Sequence, residues 1–353
     1  HFKLIPHTPY FGTADATPLY IVLLHQTWRW TGEQALLERH LKTAERCLAW
    51  IDEYGDRDGD GFQEYATRSP HGYENMGWKD AGDAVLYPDG SMVVGPKALC
   101  ELQGYVYAAW TGMAEIYDAL ERPADAARLR ARAATLYDRF NEAFWNEQLG
   151  FYAFALDGKK QQVLSIASNV GHCLWSGIVR PDRARRVVDV LMGKAMFSGW
   201  GIRTLSAEHP AFNPYAYHNG SVWPHDNGLI AQGLRRYGFN AELGRLAGAM
   251  GEAANFFALR QVPELFAGIP RAVSEFPVQC LGANVPQAWA AGSAFSFMQA
   301  LLGLEPDAAH GVLHVAPALP DWLREVVLRD LRLGAERFDL RFWRDGVANR
   351  VEV

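Results

Sequence analysis

Apolar residues recur at steps of three and four through most of this chain, and that period is the strongest constraint on what it can fold into. Leu37, Leu41, Ala44, Leu48 and Ile51 trace one helix face, as do Leu99, Leu102, Val106, Trp110, Met113 and Leu120. Leu129, Ala133, Leu136, Phe140 and Phe144 repeat the pattern, and residues 240–259 and 285–302 follow it again. The linkers differ in length. A short one at Glu121 to Ala124 joins antiparallel neighbours, whereas the Gly/Pro-rich stretches Gly55 to Gly95 and Gly199 to Tyr217 are too long for turns. Long loops in compact domains are usually functional. The spacing therefore predicts helix hairpins with their long loops gathered on one face, where a ring of hairpins leaves a concave pocket. After Pro317 the pattern tightens to alternation, in Val326 and Leu328, then Phe338, Leu340 and Phe342, then Val351 and Val353. Gly334 and Asp345-Gly346 supply turns, so short antiparallel strands are expected there. The expectation is an all-α domain over 1–310 with a β-rich segment, 311–353, packed on it.

Composition excludes several functions. Among 353 residues, 34 Lys+Arg stand against 40 Asp+Glu, a net charge of -6, the wrong balance for a binder that neutralises phosphates. No apolar run is long enough to span a bilayer. No GxGxxG, P-loop or GxSxG is present, so nucleotide-dependent and serine-hydrolase chemistry has no motif. The 12 Trp, 14 Tyr and 18 Phe supply a core, and those in loops suit a flat, uncharged ligand such as a sugar. Trp110, Phe140 and Phe144 lie at helical spacing and read as core; Trp78, Trp223 and Trp289 sit beside polar groups. Cys47, Cys100, Cys173 and Cys280 show no CxxC spacing and read as free, buried thiols of a reducing, cytoplasmic setting. The chain starts at His1 without an initiator Met, as expected of a processed chain or of a piece of a longer one.

Five segments concentrate chemistry. Asn75 to Asp83 (NMGWKDAGD) puts an aromatic, a cation and carboxylates in the longest loop; neighbouring acids raise one another's pKa, and a neutral acid protonates leaving groups. Its plain reading is a solvated turn held by Gly77 and Gly82. Tyr217 to Asn227 (YHNGSVWPHDN) crowds polar groups at a helix start, with Asn219 or Ser221 as cap and Pro224 in the first turn. His218 and His225 are seven apart rather than four, so hydroxyl recognition is expected there and not a metal. Glu264, in VPELF, sits between a proline and apolar residues, where burial perturbs an acid, or is simply a helix-boundary Glu. Asp56, Asp58 and Asp60 match the first half of a calcium loop, but the twelfth position is Thr67; a tight polar turn is expected, with a different calcium site left open. Tyr10 to Pro18 offers Thr13 or Asp15 as an N-cap, or Asp15 as a pocket residue.

Taken in order, DATPL, GWKDAGDA, GPKALCELQGYVYAA, YHNGSVWPHDNG, PELF and PQAWAAG resemble bacterial glycogen debranching enzymes of the amylo-alpha-1,6-glucosidase type. The resemblance runs over roughly residues 1 to 320. It implies an (α/α)6 barrel, an inverting glycosidase acting on an oligosaccharide or α-glucoside, and no cofactor. It places the general acid at Asp80 and the general base at Glu264. Tyr217, His218, Asn219, Trp223, His225 and Asp226 would shape the sugar subsite, with Asp15, Trp78, Lys79, Gln287 and Trp289 lining the same pocket. Members of that group carry an upstream β-rich domain and a barrel that begins earlier, with a Phe-Gly-Arg-Asp segment absent here. About nine or ten helices can be drawn where six hairpins need twelve, so a barrel incomplete at its N-terminus is expected. A carbohydrate epimerase, a phosphorolytic enzyme or a non-catalytic sugar-binding module are the alternatives; phosphorolysis would put a phosphate site in place of Glu264.

Overall fold

The structure is a computed structural model that describes residues 12–67 and 71–353; Tyr10 and Phe11 of the fifth segment lie outside them. Nine α-helices are present among the described residues: α1 (Ala16–Thr31), α2 (Gln34–Trp50), α3 (Cys100–Ala119), α4 (Pro123–Ala143), α5 (Asn169–Ser176), α6 (Pro181–Leu191), α7 (Pro224–Arg236), α8 (Asn240–Ala254) and α9 (Ala288–Leu302).

The helices divide by how much of their circumference is apolar. In α3 and α7 most residues are buried, including Glu101, Gln103, His225 and Asp226. In α2 only Leu37, Ala44 and Leu48 are buried, and α6 buries the single stripe Ala184, Val187, Val188 and Leu191. A one-sided helix has one neighbouring layer; a helix apolar all round is surrounded. The packing agrees. The odd-numbered helices form an inner row in which α1 packs on α3, α3 on α5, α5 on α7 and α7 on α9. The even-numbered helices lie outside, α2 on α1, α4 on α3, α6 on α5 and α8 on α7.

Several boundaries differ from the expected ones. The helix expected to reach Leu259 ends at Ala254, and Phe257 is already extended at φ -95°, ψ 147°, before Leu259 and Arg260 take positive φ values of 54° and 58°. The helix expected from Val285 starts at Ala288, where Gln287 Oε1 accepts the Ala290 N–H at 2.9 Å. Past Pro317, the chain forms an antiparallel meander of Glu325–Leu333, Glu336–Asp345 and Ala348–Glu352. Leu340 and Phe342 of its central strand pack with Leu302, Leu304 and Leu319 in a separate apolar cluster below α9. Of the four free cysteines, Cys100 and Cys173 are buried as expected, but Cys47 and Cys280 are only partly so. No helix among the described residues is long and apolar enough to cross a membrane.

Candidate active site

The inner helices all begin at the long-loop face. Asp15 is the N-cap of α1, Glu101 lies in the first turn of α3, Asn169 opens α5, His225 and Asp226 open α7, and Gln287 caps α9. Side chains of the first turns thus meet the loops, and both candidate carboxylates are on those loops.

Asp80 stands on a segment pinned by everything around it. Asn75 Nδ2 donates to Ala81 O at 2.7 Å and Gly82 O at 3.1 Å, folding the loop back under itself. Lys79 is buried, with Nζ donating to Thr204 O at 2.7 Å and lying 5.1 Å from the Trp78 ring centre. The Ala81 N–H donates to His218 Nδ1 at 3.3 Å, Asn219 Nδ2 donates to Asp83 O at 2.8 Å, and the Ala14 N–H reaches Met76 O at 2.8 Å. Asp80 itself is exposed. Partial burial of its carboxyl, then the charge of Glu264, raise its pKa, its own N–H working the other way. Asp15 is raised by burial above all, with Asp80 adding to it.

Glu264 is held differently. Its residue is 5% exposed, and the carboxylate takes three donors: Tyr217 OH on Oε1 at 2.6 Å, and Asn284 N and Nδ2 on Oε2 at 3.0 and 2.9 Å. The strand-like pairings of Val222 with Phe266 and of Phe266 with Gln279 set this loop beside the start of α7. The two loops approach so closely that a Cβ on Gly268 would fall 1.8 Å from Gly220 O, room that only glycine leaves. Buried Arg203 pins the crossing by donating Nε to Gly268 O at 2.6 Å.

A small apolar core of Trp78, Trp223 and Leu265, with Cys280 and Ala283 against it, joins the two carboxylate segments. Trp78 and Trp223 are therefore inside the wall of the site, 6% and 1% exposed, while Trp289 is 40% exposed. Trp223 is also the N-cap of α7, in place of the expected Asn219 or Ser221. Ser221 Oγ instead donates to Tyr217 O, and the Trp223 indole N–H donates to Ser221 Oγ and Tyr217 O. Gln287 spends its Oε1 on the α9 cap.

Burial, with Lys79 and a neighbouring imidazole also acting, takes His218 down to about 2, and burial outweighs Asp226 to take His225 down to about 3. Both rings are neutral at ordinary pH. His225 stacks on Trp289 at 4.0 Å and 5°, and His218 on Trp223 at 5.1 Å. Burial would raise Asp226, but the His172 hydrogen bond at 2.8 Å and nearby positive charge bring it below its usual range. Burial lowers Lys79 to about 8 against the pull of Asp226 and Glu101. The buried Tyr105 hydroxyl closes the chain on His172 Nδ1 at 2.6 Å. Asn284, His172 and Tyr105 were not singled out by sequence, since pairings such as His172 with Asp226 exist only after folding.

The acidic loop lies elsewhere. Oxygens of Asp56, Asp58 and Asp60 fall within 4.8 Å of one another. Lys160 Nζ sits on Asp58 at 2.9 Å and Asp60 at 2.7 Å, and on Glu64.

An inner row of helices whose first turns meet two loop-borne carboxylates is the architecture of a helical glycoside hydrolase domain. Residues 12–262 match the mannosylglycerate hydrolase MGH1-like glycoside hydrolase domain, and the chain belongs to that family. The resemblance to debranching enzymes thus holds at the level of a glycosidase, not of the debranching type. A mannosylglycerate hydrolase from Thermus thermophilus is 28% identical over 106 residues, covering 30% of this chain and 25% of that protein. A solved sialidase superposes over 97% of this chain and 31% of its own with a TM-score of 0.72 at 14% identity, a likeness of fold. A GH63 mannosylglycerate hydrolase from the same species, Thermus thermophilus, solved with Tris, gives a TM-score of 0.45 at 19% identity over 57% of this chain and 45% of its own. The chain spans about a quarter of the curated relative and about a third of the sialidase.

Proposed function

We propose that this domain hydrolyses an α-glycosidic bond with inversion, Asp80 acting as general acid and Glu264 as general base. The single observation that carries the reading is the contrast between the two carboxyls. Asp80 is raised by burial and by Glu264, the direction a proton donor needs; Glu264 is held by three hydrogen-bond donors that fix its carboxylate in place. Asp80 delivers its proton to the glycosidic oxygen as the bond to the anomeric carbon breaks. Glu264 takes a proton from the water that forms the new bond on the opposite face. Inversion calls for carboxyls about 6.5–9.5 Å apart, with that water between them.

For the sugar, the run of motifs supports an α-glucosidic bond of the debranching type. Family membership brings mannosylglycerate into the same set of substrates. Asp80→Asn and Glu264→Gln, in the complete protein, should each lower hydrolysis of α-glucosides or mannosylglycerate at least about 100-fold. Turnover near the wild-type rate in either variant refutes the assignment. Proton NMR of the first product should show the β-anomer; an α-anomer formed first rules out inversion.

A further inference from the structure

The hydrogen bonds of Glu264 also say which of its oxygens is free to work. Each carboxylate oxygen offers about two acceptor positions. Oε2 is filled by Asn284 alone, through its main-chain N–H at 3.0 Å and its Nδ2 at 2.9 Å. Among the described residues, Oε1 accepts only the Tyr217 hydroxyl, at 2.6 Å, and keeps one position open. The Glu264 N–H in turn donates to Asn284 O at 3.0 Å, so the two residues hold each other at both main chain and side chain. Asn284 follows the Cys280–Ala283 turn, closed by the Ala283 N–H on Cys280 O at 3.1 Å, and that turn packs against Trp78, Trp223 and Leu265. Tyr217 is fixed from its carbonyl, which accepts Ser221 Oγ at 2.7 Å and Trp223 Nε1 at 2.8 Å.

We infer that Asn284 and Tyr217 are positioning residues that turn Glu264 so that Oε1, and not Oε2, takes the proton of the attacking water. The inference rests on Glu264 being the base. Asn284 acts by occupying Oε2, and Tyr217 acts by fixing the direction of the remaining Oε1 position. Neither is required to touch the sugar, so their loss slows the chemical step without weakening substrate binding. Asn284 is an exposed residue, which favours substitution without unfolding.

The test uses the complete protein with 4-nitrophenyl α-glucoside, 4-nitrophenyl α-mannoside and mannosylglycerate as probes. Asn284→Ala and Tyr217→Phe should each lower kcat about 10- to 100-fold while KM stays within about twofold. In the Glu264→Gln background, Asn284→Ala should cost almost nothing further, because it acts through the missing carboxylate. Unchanged kcat in both single variants, with Glu264→Gln inactive, overturns the positioning role and leaves the base assignment standing. So does a raised KM at unchanged kcat, which would make the two residues substrate contacts. An active Glu264→Gln, or a wild-type protein inert to every probe, sinks the base assignment instead. Should Asn284→Ala fail to fold, Asn284→Ser and Tyr217→Phe give the same reading.

Discussion

The segment from Asn75 to Gly82 and the segment from Val262 to Leu265 each carry one carboxylate to the same face, yet they are anchored in opposite ways. The first is tied down by everything except its acid: Lys79 on Thr204, Asn75 on Ala81 and Gly82, Trp78 in the small core. Among the described residues, Asp80 is left with its own N–H. The second is tied down through its acid, which takes three donors. On the proposed reading, a group that gives up and regains a proton stays free of fixed donors, and one that accepts from water in a single direction is clamped. Substitutions of the anchors of the first segment should therefore show up first in stability, and those around Glu264 first in turnover.

The largest expected effect is Lys79→Met. It removes a buried cation that acts on both Asp226 and Glu101, and breaking into a buried charge cluster costs about 3–5 kcal/mol; chemical denaturation measures it. Unchanged stability would break the comparison at its first term. Gly268→Ala comes next, forcing a methyl into Gly220 O where the two loops cross. About 3 kcal/mol and a loss of activity are expected, read by melting and by assay.

A third effect is pH dependence. His218 and His225 are held far below their ordinary value by burial, so the unfolded chain binds their protons first as pH falls. The stability they confer is present above about pH 6.5 and is lost below it, by about 2 kcal/mol per histidine between pH 7 and pH 5. His225→Phe should flatten that slope in melting curves taken across the range, and an identical slope counts against the neutral, buried ring. The smallest effect is Asn75→Ala. It unties Ala81 O and Gly82 O for about 1–2 kcal/mol and, by loosening the acid's loop, lowers kcat more than it raises KM.

The same contrast shows how far sequence carried. The three-and-four spacing placed α2, α3, α4, α8 and α9, because the period of a buried helix face writes itself into local order. Alternation likewise marked the strands after Pro317. The two-residue strands, such as Phe151–Tyr152, were too short to leave a period. The end of α8 was missed because apolar Phe256, Phe257 and Leu259 continue the helical spacing while the backbone is already extended at Phe257. Asp80 and Glu264, the proposed acid and base, stand in motifs that the sequence marks. Asn284 is not so marked, since its partner lies 20 residues away in a loop and nothing in LGANVPQ sets it apart. Trp223, expected as a sugar platform, was not legible as a buried residue, because only the fold brings Trp78 and Leu265 to cover it.

The division of labour between the two carboxyls is tested most directly with α-glucosyl fluoride and α-mannosyl fluoride. Fluoride leaves without needing a proton, so the general acid is dispensable while the water-activating base is not. Asp80→Asn should turn over the fluoride within about tenfold of wild type, and Glu264→Gln should lose at least about 1000-fold. Equal losses in the two variants, or a larger loss in Asp80→Asn, would contradict the assignment of acid and base.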